Sequence, residues 1–189
     1  MPYAKKKTNI FSTIIILNLV VMSKPYVVGI DIGGTNTVFG IVDARGNVIA
    51  SSSIKTAKHS KIEDYIDELS TELDRLIVAN DAKDKVHGIG VGAPNANYFT
   101  GMIEDAPNLP WGGKIPLADM LSEKFGIPVT ITNDANAAAI GEMTYGVARG
   151  LKDFIMITLG TGVGSGIVIN GQLVYGHDGF AGELGHVVV

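Results

Sequence analysis

The chain has 189 residues, 46% of them hydrophobic and 18% charged, so it has apolar content enough for a sizeable core and is not compositionally disordered. Fifteen basic against nineteen acidic residues leave a formal net charge of −4, which gives no global field to hold a nucleic-acid backbone. The absence of cysteine excludes disulfides, thiolate nucleophiles and cysteine-ligated zinc, and leaves chemistry based on oxygen and nitrogen.

Lys5, Lys6 and Lys7 precede an apolar stretch from Ile10 to Met22, the order found in a secretory signal peptide. The stretch is short of the about 20 residues that a bilayer-spanning helix needs, and Lys24-Pro25 follows it in place of a small-x-small cleavage pattern. The abrupt change of composition at Met22 marks it as the expected natural start, with residues 1–21 a mis-called or added extension. A cytoplasmic protein without membrane attachment is expected.

From there the order of elements reads βββαβαβα. Tyr26–Ile32, Thr37–Val42 and Val48–Ser53 are β-rich runs separated by turns at Gly33-Gly34 and Arg45-Gly46-Asn47, the pattern of three consecutive antiparallel strands. Ile62, Tyr65, Ile66, Leu69, Leu73, Leu76 and Ile77 recur at helical spacing, with Ser60 and Glu63 placed for a capping box. A strand at Val86–Val91, a helix at Leu117–Phe125 stopped by Gly126 and Pro128, a strand at Val129–Thr132 and an alanine-rich helix at Ala135–Tyr145 follow. A meander succeeded by helical crossovers predicts a mixed α/β sheet with helices on its faces, formed by residues 22–150.

After Gly150 the opening pattern returns. Phe154–Leu159 runs into a glycine turn, and Gly166-Ile167-Val168-Ile169-Asn170-Gly171 parallels Gly40-Ile41-Val42-Asp43 and its turn. Residues 151–189 therefore read as the beginning of a second, duplicated lobe, whose completion takes on the order of 100 further residues. A truncated chain is expected.

Four motifs carry candidate chemistry. In Asp31-Ile32-Gly33-Gly34-Thr35-Asn36, two glycines allow positive φ and close approach of a phosphate to backbone amides, Thr35 adds a hydroxyl donor, and Asp31 is placed to hold a hydrated Mg²⁺. The alternative is a plain Gly-Gly hairpin. The run Gly160-Thr161-Gly162-Val163-Gly164-Ser165-Gly166 repeats the device with more glycines than a hairpin needs, and two such turns facing each other across a cleft would grip one triphosphate. Asn133-Asp134 lies where a strand ends and a helix begins, the edge at which open α/β sheets bind ligands; Asp134 is either a base for a sugar hydroxyl or simply the helix cap. Gly182-Glu183-Leu184-Gly185-His186 offers a carboxylate and an imidazole for neighbouring sugar hydroxyls, or else a solvated acid and a structural histidine.

Taken in order, these segments resemble the ROK (repressor, open reading frame, kinase) family of the actin-like ATPase and sugar-kinase superfamily, over roughly Lys24 to Val189. The glycine spacing from Leu159 to Gly182-Glu183-Leu184-Gly185-His186 carries the resemblance. It implies a ribonuclease H-like fold, with ATP and Mg²⁺ as cofactors and phosphorylation of glucose at its 6-hydroxyl. Asp134 would be the catalytic base; Gly92, Asn133, Glu183 and His186 would bind sugar; Asp31, Gly33, Gly34, Thr35, Asn36, Gly160, Thr161 and Gly162 would hold phosphate. The segments Gly92-Ala93-Pro94-Asn95 and Pro107-Asn108-Leu109-Pro110-Trp111 would line the sugar side. Other hexoses, N-acetylhexosamines, a non-catalytic sugar-binding fragment and a sugar-responsive repressor are the alternatives, and homodimers are common among full-length members. The family's zinc-binding cysteine cluster has no counterpart here; one histidine cannot supply the three or four protein ligands of a stable site, so no zinc site is expected.

Overall fold

The computed structural model describes residues 25–160 and 162–187; the extension expected at residues 1–21 lies outside them. Strands β1 (Tyr26–Ile32), β2 (Thr37–Val42) and β3 (Val48–Ile54) form the expected antiparallel meander, and β4 (Val86–Gly92) and β8 (Val129–Thr132) extend it in parallel. The resulting sheet has the order β3-β2-β1-β4-β8. Period-2 alternation assigns its two faces. Val28, Ile30, Ile32, Phe39, Ile41, Ile89 and Val91 are at most 4% exposed and meet α1 (Ile62–Ala79) and α2 (Leu117–Phe125). Tyr65, Ile66, Leu69, Leu73 and Ile77 supply the buried stripe of α1, at the i, i+3/i+4 spacing the sequence displays.

The expected capping box does not form. Lys61, with extended φ and ψ, occupies the N-cap of α1 and makes no side-chain cap bond, so Ser60 sits one residue too early to reach the first-turn amides. At the far end of α2, Gly126 takes the left-handed conformation (φ 66°) and its N–H returns to the Ser122 carbonyl at 2.8 Å, the stop that the glycine predicts.

The opposite face of the sheet carries Gly29, Gly40, Gly90 and Gly92, and against it lies α3 (Asp134–Thr144). This helix is shared with a second antiparallel sheet, β11-β10-β9, built from β9 (Phe154–Leu159), β10 (Val163–Ile169) and β11 (Gln172–Leu173). That sheet repeats the meander of β1–β3. Small residues permit the approach: a Cβ on Gly166 would stand 2.6 Å from the Ala139 methyl, and one on Gly164 would stand 3.0 Å from that of Ala135.

Between β4 and α2, where the sequence reading assigns no element, the chain forms a third small sheet of β5 (Ala96–Asn97), β6 (Met102–Glu104) and β7 (Lys114–Ile115). These strands of two or three residues are too short to display a period. Ile103, Ile115 and Trp111 anchor them in the main core.

Candidate active site

The carboxyl ends of β1, β4 and β8 and the turn between β9 and β10 open onto one cleft of roughly 630 Å³. Gly33, Gly34, Asn133, Asp134, Gly160, Gly162, Glu183 and His186 all line it, together with Pro94, Asn95, Pro107 and Asn108. The two glycine turns thus share one cavity. Among the described lining residues there is no lysine or arginine, so an anionic ligand there would be met by backbone amides and by any cation it brings.

The first turn closes through the Gly33 N–H, which donates to the Asn36 carbonyl at 2.9 Å. Positive φ is not what requires its glycines, contrary to the sequence expectation. Neither Gly33 nor Gly34 is left-handed; instead a Cβ on Gly34 would stand 2.4 Å from the Asn108 carbonyl oxygen, so the turn abuts the Pro107–Trp111 segment. Asn36 accepts from Lys55 Nζ at 2.8 Å, and both Thr35 and Asn36 are exposed outside the cleft lining. Thr161 lies outside the described residues.

The glycine-rich run beyond β9 divides its work. Gly160 and Gly162 face open space in the turn, whereas Gly164 and Gly166 belong to β10 and admit the alanines of α3. Part of the glycine excess therefore serves helix contact.

At α3 the cap is Asn133, whose Oδ1 accepts from the Asn136 N–H at 2.7 Å. This corrects the alternative that Asp134 caps the helix. Asp134 is the first helical residue; its Oδ1 accepts from the Ala135 N–H at 2.8 Å, and among the described residues Oδ2 has no hydrogen-bond partner. An acidic residue in this first turn is favoured by the helix dipole. Asn133 Nδ2 also donates to Glu183 Oε1 at 3.3 Å, which joins the helix start to the Glu183 segment.

Glu183 precedes a 3₁₀ turn over Leu184–His186, and its Oε2 lies 3.8 Å from His186 Nε2. The segment is held against β10. Ser165, 1% exposed, donates its hydroxyl to the Gly182 carbonyl, and a Cβ on Gly185 would stand 2.3 Å from the Val163 carbonyl oxygen. Ser165 is a contribution that the sequence, read for glycines alone, does not reveal.

Asp31 and Gly92 line an adjoining groove on the open sheet face, which meets the cleft at Asp134. Gly92 is placed for contact with α3, since a Cβ there would stand 3.3 Å from the Ala137 methyl. Partial burial raises the Asp31 pKa above its ordinary 3.8, and the charge of Asp134 raises it further. A carboxylate at Asp31, where the groove adjoins the cleft, fits hydrated Mg²⁺, which is commonly held by one or two carboxylates with substrate phosphates and water. Among the described residues no group of three or more His, Asp or Glu stands ready for an all-protein metal cage.

The ROK family pattern matches residues 27–189. The chain belongs to the ROK family. A glucokinase of Halalkalibacterium halodurans is 41% identical over 89% of this chain and 51% of its own length. A ROK-family glucokinase from Streptomyces griseus, solved in complex with glucose and AMPPNP, superposes with a TM-score of 0.73 at 35% identity, over 87% of this chain and 51% of that one. A putative xylose repressor of a Caldicellulosiruptor species is 33% identical over 86% of this chain and 41% of its own length. This ROK chain spans about half the length of these glucokinases, and the mixed sheets and three α-helices of its described residues have the actin-like ATPase fold of such kinases.

Proposed function

We propose that this chain supplies the sugar site, the phosphate-facing turns and the catalytic base of an ATP-dependent kinase that phosphorylates glucose at its 6-hydroxyl. The observation that carries this reading is the convergence of Asp134, Asn133 and Glu183 with both glycine turns on one cleft.

Asp134 is suited to the role of base because one carboxylate oxygen is fixed by the Ala135 N–H while the other has no partner among the described residues. In the proposed step it accepts the proton of the sugar 6-hydroxyl; that oxygen forms a bond to the γ-phosphorus, and the bond from phosphorus to the β–γ bridging oxygen breaks to release ADP. Glu183, Asn133 and His186 would orient the ring hydroxyls, so that sugar choice rests on leaving no buried polar group unpaired. Asp31 would hold hydrated Mg²⁺, which supplies neutralisation of phosphate charge when bound, and Asp134 is kept for the proton. The backbone at Gly33-Gly34 and Gly160–Gly162 would approach the phosphates.

Similarity to a putative xylose repressor favours a second reading, a sugar-binding half used without phosphoryl transfer. Glucose-dependent ADP release distinguishes the two. Turnover that falls about 10²–10⁴-fold in Asp134→Asn supports the kinase and its base. Retained glucose binding with no turnover, in this chain and in a chain of full family length, supports the repressor-like use; no binding of any hexose overturns both.

A further inference from the structure

Glu183 stands at the end of a loop with little core of its own. Residues 176–182 include three glycines at positive φ, Gly176 (75°), Gly179 (87°) and Gly182 (94°), and their neighbours His177 and Asp178 have side chains 98% and 81% exposed. A glycine-rich, solvent-facing segment of this kind loses much backbone entropy on ordering and needs outside ties to hold one shape. The Ser165–Gly182 bond ties its far end, and a second tie comes from a different part of the chain, the small sheet.

Asn97 of β5 is 3% exposed and lies outside the cleft lining. Its Nδ2 donates to the Asp178 carbonyl at 2.8 Å, while its Oδ1 accepts from the Phe99 N–H at 3.0 Å. A backbone carbonyl on one side and a backbone N–H on the other fix which end of the amide points where. Gly179 is buried directly beneath it, since a Cβ there would stand 2.5 Å from Asn97 Oδ1. The adjacent Tyr98 stacks on Tyr175, at the loop entrance, with ring centroids 4.3 Å apart and planes 14° from parallel. The Ala181 N–H closes the loop onto the Tyr175 carbonyl at 3.0 Å.

We infer that Asn97 is a positioning residue that clamps the 176–182 loop, and through it sets Glu183 in the cleft. The clamp joins the small sheet between β4 and α2 to the segment after β11, so two stretches about 80 residues apart (|i−j| = 81 for the bonded pair) are locked by one buried amide. The consequence for sugar rests on the function proposed above; the clamp itself does not.

Asn97→Asp is the informative variant, because it keeps the acceptor for Phe99 and replaces the donor with a carboxylate facing the Asp178 carbonyl. Amide hydrogen exchange is measured on the full chain, with β1 and β4 as internal references, alongside the glucose Kd by calorimetry. The expected result is exchange in 176–183 faster by about tenfold or more with the references unchanged, and a glucose Kd weaker by about tenfold, the change that follows from one lost buried bond. Unchanged exchange in 176–183 overturns the clamp. Faster exchange throughout, with a lowered melting temperature, also overturns it, since Asn97 would then be a general stability residue. Local loosening with an unchanged glucose Kd overturns the link to Glu183. If the unmodified chain binds no glucose, the sugar-site reading falls, while loop exchange still decides the clamp.

Discussion

Asn133 Oδ1 receives the Asn136 N–H at 2.7 Å while its Nδ2 reaches Glu183 Oε1 at 3.3 Å, so one amide both starts α3 and contacts the acid on the opposite wall of the cleft. The two functions separate by substitution. Asn133→Asp keeps a cap acceptor and should change stability by only a few tenths of a kcal/mol, yet it sets two carboxylates against each other and should weaken hexose binding. Asn133→Ala should cost about 1 kcal/mol of stability as well. Urea denaturation and calorimetry on both variants check this; equal stability loss in the two would mean that the cap bond is not the stabilising contact.

The neighbouring carboxylates give a pH prediction. Asp31 has a folded-state pKa raised by burial and then by Asp134, so its ionised form weighs against the folded state. Stability from this group is fully present below the ordinary 3.8 and is lost as pH rises through the folded-state value. Asp31→Asn should therefore raise the melting temperature near neutral pH, and the gain should vanish at a pH of about 3. In Asp134→Asn, NMR titration should find the Asp31 pKa lower but still above its ordinary value, because burial remains the larger cause. A lower melting temperature for Asp31→Asn at neutral pH would contradict the sign.

How much of this was legible in the residues depends on how local each signal is. The strands β1–β4 and β8, the stripe of α1 and the stop at Gly126 follow from period and turn chemistry within a few residues. Asn133 and Asp134 were visible as a pair at a strand-to-helix junction, but which one caps depends on one residue of helix phase. Gly160 to Gly166 looked uniform, although Gly164 and Gly166 serve a helix that ends at Thr144, far earlier in the chain. The Asn97–Asp178 and Ser165–Gly182 bonds join residues 81 and 17 apart, and neither leaves a local pattern. Short β5–β7 are set by tertiary contacts with the core.

The contact between α3 and β10 has a sharp mutational sign. In an open strand, Gly→Ala stabilises by roughly 0.5–1 kcal/mol through lost chain entropy. At Gly166 the new methyl would stand 2.6 Å from Ala139 Cβ and 3.0 Å from the Ala135 carbonyl oxygen, so overpacking should win and Gly166→Ala should destabilise by about 1–3 kcal/mol. Gly29→Ala, with nothing within 4 Å of the added atom, is the matched control and should be neutral or stabilising. Chemical denaturation midpoints compare them; a Gly166→Ala chain as stable as the control would mean that α3 shifts freely away from β10.

Behind the first glycine turn lies a buried hydroxyl network. Thr37 Oγ1 is 2.8 Å from Thr56 Oγ1 and 2.9 Å from Tyr65 Oη, and all three residues are fully buried. Burial pushes the Tyr65 pKa well above its ordinary value, so it stays a neutral phenol throughout the usable pH range. Its ring meets Trp111 at 4.4 Å, and Trp111 Nε1 donates to the His59 carbonyl at 3.0 Å, which carries the network to the segment abutting Gly34. Tyr65→Phe keeps the rings and leaves Thr37 bonded to Thr56, so it should cost about 0.5–1.5 kcal/mol. Thr37→Val removes the shared centre and strands two hydroxyls, each worth about 1–3 kcal/mol when unpaired, so it should cost more than Tyr65→Phe. If Thr37 is the hub, the double variant should cost less than the sum of the two single ones, because removing Tyr65 Oη spares one stranded hydroxyl. Urea denaturation of all three variants measures the coupling, and strict additivity would show that the Thr37 and Tyr65 hydroxyls act independently.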